Sequence, residues 1–316
     1  MADMTEIKTA NKSLLKPDRK KVMKSWWKKN GIGYLFLLPY MLLFLIFIVI
    51  PVAVAFFLSL TNYNMIQKPD FIGLTNFKIL FMDDDIFLIA LKNTLIFSCI
   101  AGPVGYIMSF LAAWVINNLK GRKFFALAFY APSLTSGIAM SVVWLYFFSP
   151  DRFGLINNFL INTLGVTTEP VLWTQDPKYI LRVVIFISIW MSMGNGFLVF
   201  LAGLQNISKE LYEAAAIDGI RNRFQQLWYI TLPLMQPQLL FGAINSIVGS
   251  FGAYDIAVAI AGMPSPEYSA HTIVAHLFDH AFIRFSMGYA SCIAVILFVM
   301  TYTLSKVCMR VFRSRE

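Results

Sequence analysis

Six long apolar runs, separated by shorter connections, constrain this chain more than any other feature of its sequence. They cover roughly residues 33–60, 90–117, 123–149, 181–205, 235–262 and 287–309. A helix of about 20 apolar residues crosses the hydrocarbon layer of a bilayer, and each run is long enough to do so. Only 14% of the 316 residues are charged, against about a quarter in soluble domains. The sequence therefore predicts an all-α polytopic membrane protein with six transmembrane helices.

The basic residues lie in alternate connections and predict the orientation of the helices. Residues 1–30 carry nine Lys and Arg, the connections after the second and fourth runs carry three each, and four more lie near the C-terminus. Because connections rich in Lys and Arg stay in the cytoplasm, we expect both termini there. The predicted organisation is a basic cytoplasmic tail (1–32), a six-helix transmembrane domain (33–312) and a cytoplasmic C-terminal end (313–316). No connection is large enough to present the basic face that nucleic-acid binding needs.

A charged, amphipathic segment lies between the fourth and fifth runs, where it reads "SKELYEAAAIDGIRNRFQQLWYITLPLMQP". Ser208 can cap a short helix over 209–217, and Gly219 stands where a helix stop favours positive φ. Asn222, with Gln225 three residues later, resembles a second capping pattern. A second helix is then expected over 223–231. The segment is predicted to fold as helix, turn and helix.

The composition of this segment favours docking to another protein. Alanines 214–216 would form a smooth surface that lets a partner approach closely, with Glu213 and Asp218 making directional contacts at its ends. A solvated loop with incidental helix is the alternative interpretation. Such a loop has little use for the apolar side chains of the segment, which imply burial against a partner or the chain's own bundle. These are Leu211, Tyr212, Phe224, Leu227 and Trp228.

The stretch "EAAAIDG" followed by "ITLP" resembles the EAA loop of permease subunits in bacterial binding-protein-dependent ABC importers. The resemblance extends over nearly the whole chain and is closest to the sugar-uptake branch. Within it, "FIGLTNF" and "GLINNFL" resemble the partner related to the maltose-type F and glycerol-phosphate-type A subunits. Other similar stretches are "LKNTLIFS", "APSLTSGIAMSVVWLYFFSPDRFGLINNFL" and "FSMGYASCIAVILF".

The resemblance implies a type I ABC importer permease (MetI-like) fold in the bacterial cytoplasmic membrane. Residues 206–233, the EAA loop, would dock on a cytoplasmic ATPase and transmit its ATP-driven closure to the membrane helices. Residues 220–229, ten in all, separate Gly219 from Ile230, one more than the family pattern leads us to expect. The coupling residues carried over are Glu213, Ala214, Ala215, Asp218 and Gly219.

The resemblance also implies the partners of the chain. They are a second permease subunit in a heterodimer, two cytoplasmic ATPase subunits, an extracytoplasmic solute-binding protein and the lipid bilayer. ATP and Mg²⁺ would be bound by the ATPase subunits, so this chain is expected to bind no cofactor of its own and to be no enzyme. The cargo implied is a carbohydrate, either an oligosaccharide or a related polyol.

Polar residues near the middle of the fourth and fifth runs are candidates for the substrate path. Transporter sites lie near the bilayer midplane and are lined by polar groups that lipid does not favour. Neutral hydroxyls and amides suit a neutral polyol. Helix–helix packing is the alternative role, above all for the serines. The candidates are Ser188, Ser192 and Asn195 in the fourth run, and Asn245, Ser246 and Ser250 in the fifth.

The sequence lacks common nucleotide-binding and catalytic motifs: it has no GxxxxGK[ST] loop, no nucleophile elbow and no HExxH. The stretch "HTIVAHLFDH" places His276 and His280 at i and i+4, a spacing that can bring two imidazoles to one zinc ion. No third ligand is evident, so we predict no metal site and interpret the pair as polar surface of a short outer helix.

An ATP-independent secondary carrier or channel for a small polar solute is the alternative function. A carrier coupled to protons or sodium should hold ionisable residues at the midplane. The central parts of the six runs contain no such acids, and the EAA loop would have no purpose there. The sequence therefore favours the ABC importer.

Overall fold

The computed structural model describes residues 19–220 and 222–313, without the side chains of residues 19–30, Pro132, Asn195 and Arg313. Residues 1–18 of the predicted tail and 314–316 of the predicted C-terminal end lie outside the described residues. The chain separates into two compact units, with the boundary in sequence between Phe57 and Leu58. The structure is almost entirely helical, as predicted.

The first unit is one long helical stretch. Helix α1 runs over Arg19–Phe44, a π turn covers Leu45–Val49, and α2 follows over Ile50–Leu58. The stretch Gly31–Leu58 is long and apolar enough to cross a membrane. Its apolar side chains are exposed on all sides, which a helix tolerates only in apolar surroundings. This matches the first predicted span.

The second unit begins with a short two-stranded sheet. Strand β1 (Thr61–Asn62) pairs antiparallel with β2 (Asp70–Phe71). The side-chain amide of Asn76, buried in helix α3, donates to the carbonyls of Ser59 and Thr61 at 3.0 and 2.9 Å. This amide ties the sheet to the helix that follows it.

Helices make up the rest of the second unit. In chain order they are α3 (Thr75–Met82), α4 (Asp85–Asn117), α5 (Arg122–Tyr130), α6 (Gly137–Phe147), α7 (Leu155–Asn158), α8 (Pro177–Gln205), α9 (Lys209–Ile217), α10 (Arg223–Gln226), α11 (Leu232–Leu234), α12 (Gln236–Phe251), α13 (Asp255–Ala261), α14 (Ile273–Phe278) and α15 (Met287–Arg313). Three π turns lie at Phe159–Thr163, Leu227–Thr231 and Asp279–Ile283, and two 3-10 turns at Ala131–Leu134 and Pro266–Tyr268.

Five helical stretches of the described chain are long and apolar enough to cross a membrane: Gly31–Leu58, Asp85–Asn117, Pro177–Gln205, Gln236–Ala261 and Met287–Phe312. They correspond to five of the six predicted spans. The fifth predicted span is divided, since α12 ends at Phe251 and α13 starts at Asp255.

The third predicted span, 123–149, is not one continuous helix. It is divided into α5 and α6 by the 3-10 turn Ala131–Leu134. Pro132 has no backbone N–H to donate within a helix, and the Ser133 hydroxyl donates to the carbonyl of Tyr130 at 2.7 Å. The turn packs directly on α8, because a Cβ on Gly194 would lie 2.4 Å from Cβ of Ser133.

Helix α4 packs along α8 and α12 and is the central element of the second unit. The Asp84 carboxylate caps its N-terminus by accepting from the N–H of Phe87 at 2.9 Å. Pro103 lies in its interior. One buried apolar cluster, including Phe110, Phe200 and Leu227, packs near its C-terminal end, and another, including Phe87 and Ile293, near its N-terminal end. The two ends of α4 therefore have separate cores.

Candidate functional site

A cavity of about 610 Å³ lies between α4, α8 and α12. Five of the six predicted substrate-path residues line it: Ser188, Ser192, Asn245, Ser246 and Ser250. The side chain of the sixth, Asn195, lies outside the described residues. The structure thus brings the polar faces of the fourth and fifth spans to one space, and their role in binding stays a prediction.

The serines of the cavity keep acceptor capacity for a ligand. Ser192 and Ser250 donate to carbonyls of their own helices, at Ile189 (2.9 Å) and Ile247 (3.0 Å). The buried Ser188 hydroxyl has no hydrogen-bond partner among the described residues. A buried hydroxyl without a hydrogen-bond partner costs free energy. A hydrogen bond from this hydroxyl to a ligand or water would remove that cost and favour its binding. Asn245 is exposed at the wall of the cavity.

One wall of the cavity was missed by the sequence analysis. It comes from α4, where Gly102, Gly105, Tyr106 and Ser109 line the space. The Tyr106 hydroxyl donates to the carbonyl of Leu239 on α12 at 3.1 Å. The signal was available, because these residues recur at three- and four-residue spacing and share one helix face. The predicted path included only the two spans that flank the EAA loop, so this face of α4 was not part of it.

The cavity is nearly free of formal charge. Asp255, the first residue of α13, is the one Asp, Glu, Lys or Arg among its described lining residues. The remaining polar groups are backbone groups exposed at several glycines, side-chain hydroxyls and one amide. Such a surface can hydrogen-bond a neutral polar ligand and offers a single anionic contact at one end.

The first half of the EAA loop folds as the sequence predicts. The Ser208 hydroxyl accepts from the N–H of Glu210 at 3.3 Å and caps α9. Helix α9 covers Lys209–Ile217, the predicted range. Gly219 follows with φ +93°, a conformation that favours glycine.

The second half of the EAA loop also has the predicted cap. The N–H of Phe224 donates to the Asn222 side chain at 3.1 Å, and the N–H of Asn222 to the Gln225 side chain at 3.4 Å. Helix α10 then continues into the π turn Leu227–Thr231. A π turn accommodates one additional residue within a helix, so it offers a place for the extra residue between Gly219 and Ile230.

The EAA loop is anchored on one side and exposed on the other. Leu227 is buried in the core at the end of α4, and the hydroxyls of Tyr212 and Thr231 lie 3.0 Å apart, joining the two halves. Large apolar side chains nevertheless remain open, with Ile217 88% and Trp228 68% exposed. The loop therefore presents a preformed apolar face.

The five predicted coupling residues do not share one environment. Glu213, Ala214, Asp218 and Gly219 are exposed, whereas Ala215 is buried. The predicted smooth surface of residues 214–216 is thus formed by its two outer alanines. Ala215 packs inwards and lets α9 approach the rest of the chain closely.

Comparison with known proteins places these features in a family. The family described as "Binding-protein-dependent transport system inner membrane component" matches residues 101–315. The chain is 35% identical over 286 residues to the probable ABC transporter permease protein YesP of Bacillus subtilis, covering 90% of this chain and 91% of the relative. It is 31% identical over 289 residues to the lactose transport system permease protein LacF of Rhizobium radiobacter, covering 90% and 94%.

Solved structures show the same fold. The crystal structure of a bacterial ABC transporter involved in the import of the acidic polysaccharide alginate superposes with a TM-score of 0.77 at 24% identity, covering 92% of this chain and 98% of that one. Family model, relatives and fold agree. The chain belongs to the family of binding-protein-dependent transport system inner membrane components.

Proposed function

We propose that this chain is the permease subunit of an ATP-driven ABC importer and forms part of the membrane path for a carbohydrate. The observation that carries the proposal is the cavity in which hydroxyls and an amide from α8 and α12 meet the α4 wall. The chain itself catalyses no reaction. It provides the path, and partner chains supply the energy.

The chemistry of the cavity supports a polyol cargo. The hydroxyls of Ser192, Ser246 and Ser250 can accept from sugar hydroxyls, and the Ser188 hydroxyl and the Asn245 amide can both donate and accept, without a counter-charge. Met191 and Phe97 at the same cavity offer apolar surface for sugar ring faces. Relatives named for lactose, arabinooligosaccharide and sn-glycerol-3-phosphate transport point to the same class of cargo.

The EAA loop supports coupling to an ATPase. Its two capped halves are fixed to the end of α4, so a force applied to the exposed face reaches the helices that line the cavity. We propose that Glu213, Ala214, Asp218 and Gly219 meet a cytoplasmic ATPase subunit there, with Ala215 supporting α9 from behind. ATP and Mg²⁺ then belong to that partner, and the termini and the loop face the cytoplasm.

The remaining partners follow from the family and from the open cavity. The family is binding-protein-dependent, and one fold neighbour is described in complex with an alginate pentasaccharide-bound periplasmic protein. We propose a solute-binding protein on the extracytoplasmic side and a second permease subunit that completes the path, with two ATPase subunits in the assembly.

An ATP-dependence assay separates this proposal from an ATP-independent carrier or channel. The complete complex is reconstituted in proteoliposomes with its binding protein, and uptake of a labelled sugar is measured with and without ATP. The double variant Glu213→Ala/Gly219→Asp should lose uptake and co-purification of the ATPase. Glu210→Ala, an exposed change in the same helix, is the matched control. Uptake that persists without ATP, or full coupling in the double variant, would refute the proposal.

A further inference from the structure

Three helices meet around a polar cluster at the N-terminal end of α4. Asp84 caps α4, His276 lies in α14, His280 lies in the π turn that continues it, and Tyr289 lies in the first turn of α15. Thirty residues of α4 separate Asp84 from Trp114, whose ring contacts Phe224 of the EAA loop. At 1.5 Å per residue this is about 45 Å, so the cluster is remote from the EAA loop.

The side chains of this cluster converge on one carboxylate oxygen. Nε2 of His276 lies 3.0 Å from Oδ2 of Asp84, and the Tyr289 hydroxyl donates to the same oxygen at 2.6 Å. The rings of His276 and His280 lie 4.7 Å apart between centroids. One ligand atom from each of Asp84, His276 and His280 lies within 4.8 Å of the other two. Three ligand atoms at this spacing can bind one cation after small side-chain rotations.

Burial is the main influence on the pKa values of the two imidazoles. Burial lowers the pKa of His280 to about 4, with a further contribution from nearby His276, and burial lowers the pKa of His276 although Asp84 opposes it. Burial acts to raise the pKa of Asp84, but hydrogen bonds from Tyr289, Phe87 and His276 outweigh it and the pKa is lowered.

Hydrogen bonding within the protein leaves part of this cluster unexplained. Nδ1 of His276 and Nδ1 of His280 are buried and have no partner among the described residues, and His276 is only 1% exposed. A hydrogen-bonded pair of Asp84 and His276 explains the position of one imidazole. It does not explain why His280 lies beside them. A buried imidazole and a half-buried imidazole beside one carboxylate have the composition of a three-ligand metal site.

A second cavity, of about 540 Å³, opens onto this cluster. Its wall includes Asp83 and Asp85 beside Asp84, and also Arg284, whose guanidinium is paired with Asp279 at 2.7 Å. The cavity wall therefore carries three carboxylates, which attract a cation, against one guanidinium that is already paired. The cavity also has room for a water ligand.

We propose that Asp84, His276 and His280 form a binding site for a zinc-class divalent transition metal ion, with water in the fourth position and Tyr289 orienting Asp84. Two imidazoles and one carboxylate form a three-ligand zinc set, whereas Mg²⁺ and Ca²⁺ favour oxygen ligands throughout. The bound ion links α4 to α14 and its π turn. It clamps the end of the bundle opposite the EAA loop.

Metal titration of the full-length chain, with its co-purifying subunits and without a polyhistidine tag, tests this site. Zn²⁺ is titrated against a chromophoric chelator, and Co²⁺ is added separately to detect the visible absorption of a tetrahedral nitrogen–oxygen site. We expect one tightly bound ion per chain in the wild type. Loss of an outer-shell partner weakens metal sites about 10- to 100-fold, so His280→Ala and Asp84→Asn should weaken binding by about 100-fold or more.

The variants are chosen to separate ligation from folding. Asp84→Asn keeps a side-chain oxygen for the cap of α4. His271→Gln changes the remaining histidine, whose ring packs 5.5 Å from that of His276, and leaves all three proposed ligands in place. Zn²⁺ should raise the unfolding temperature of the wild type and His271→Gln but not of the two ligand variants. Absence of tight binding by the wild type, or equal binding by both ligand variants, would overturn the proposal. Transport is not measured, so the outcome is independent of the proposed function.

Discussion

The Ser246 hydroxyl of α12 donates a 2.8 Å hydrogen bond to the backbone carbonyl of Gly102 on α4, across the wall of the cavity. This bond joins two helices that are far apart in sequence. Ser250, one turn further along α12, donates instead to Ile247 of its own helix. The two serines thus share a cavity but hold different parts of the structure together.

Ser246→Ala should therefore destabilise the fold more than Ser250→Ala. Loss of the interhelical hydrogen bond is expected to lower the free energy of unfolding by about 1 kcal/mol. Ser250→Ala removes only a hydrogen bond within α12, so no group on another helix loses its partner. Thermal unfolding of both purified variants in detergent measures the difference, and equal losses would contradict the assignment.

Asn245→Leu should impair sugar uptake without disturbing assembly. The Asn245 side chain is exposed at the cavity, so its replacement disrupts little packing. Loss of one neutral hydrogen bond of about 0.5–1.5 kcal/mol corresponds to a roughly 2- to 10-fold rise in the apparent KM for the sugar. Uptake by the reconstituted complex is the measurement, with complex recovery as the control. Unchanged uptake kinetics would remove Asn245 from the substrate path.

Gly219→Ala should weaken coupling, and Gly219→Asn should weaken it less. At φ +93° a residue with Cβ is strained by roughly 1–2 kcal/mol, and Asn tolerates the left-handed region better than Ala. Nothing in the described structure lies within 4 Å of an added Cβ, so the strain comes from the backbone alone. Transport-coupled ATP hydrolysis is the readout. Equal activity of the Ala and Asn variants would show that the turn is not the determinant.

Asn157→Leu should destabilise the connection between α6 and α8. The buried Asn157 amide donates towards the carbonyls of Ser149, Asp151 and Val171, and its oxygen accepts from Trp173 Nε1 at 2.9 Å. Several polar groups lose their partner at once, and each buried one costs about 1–3 kcal/mol. We expect a lower unfolding temperature and faster proteolysis of this connection.

The matched control for that connection is Asn162→Ala. Asn162 makes an exposed side-chain hydrogen bond to Asn158 at 2.9 Å, so its removal should change stability by about 0.5 kcal/mol or less. If the two variants were equally stable, the hydrogen bonds of Asn157 would not contribute to the free energy of unfolding.

Gly288→Ala should destabilise the contact between α15 and the small sheet. A Cβ at residue 288 would lie 2.2 Å from the backbone oxygen of Thr61, and this carbonyl is already held by Asn76. Overpacking of this kind typically costs about 1–3 kcal/mol. Gly249→Ala is the control, because nothing described lies within 4 Å of its added Cβ. A comparison of unfolding temperatures checks the prediction; equal values would contradict it.

Local signals were the most predictable part of this molecule. The caps at Ser208 and Asn222 and the positive φ of Gly219 follow from neighbouring residues, so the sequence predicted them, with the correct bounds for α9. The second helix, predicted over 223–231, instead ends at Gln226 and continues as a π turn to Thr231. The break at residues 131–134 was missed, because an apolar run does not reveal that Pro132 ends one helix instead of bending it. Long-range pairing was not readable at all. Asp84 lies 192 residues from His276, and only folding brings a third ligand to the histidines.

Pro103 gives α4 a mechanical property that neither of its ends has. It leaves the carbonyl of Cys99 without an intrahelical donor, beside the Ser246–Gly102 bond and the cavity. Under the proposed function, a displacement of the EAA loop would therefore bend α4 at Pro103, beside the cavity, while Asp84 holds its N-terminal end. A metal ion bound by Asp84, His276 and His280 would fix this end of α4, so the same displacement would deform the cavity wall instead of tilting the whole helix.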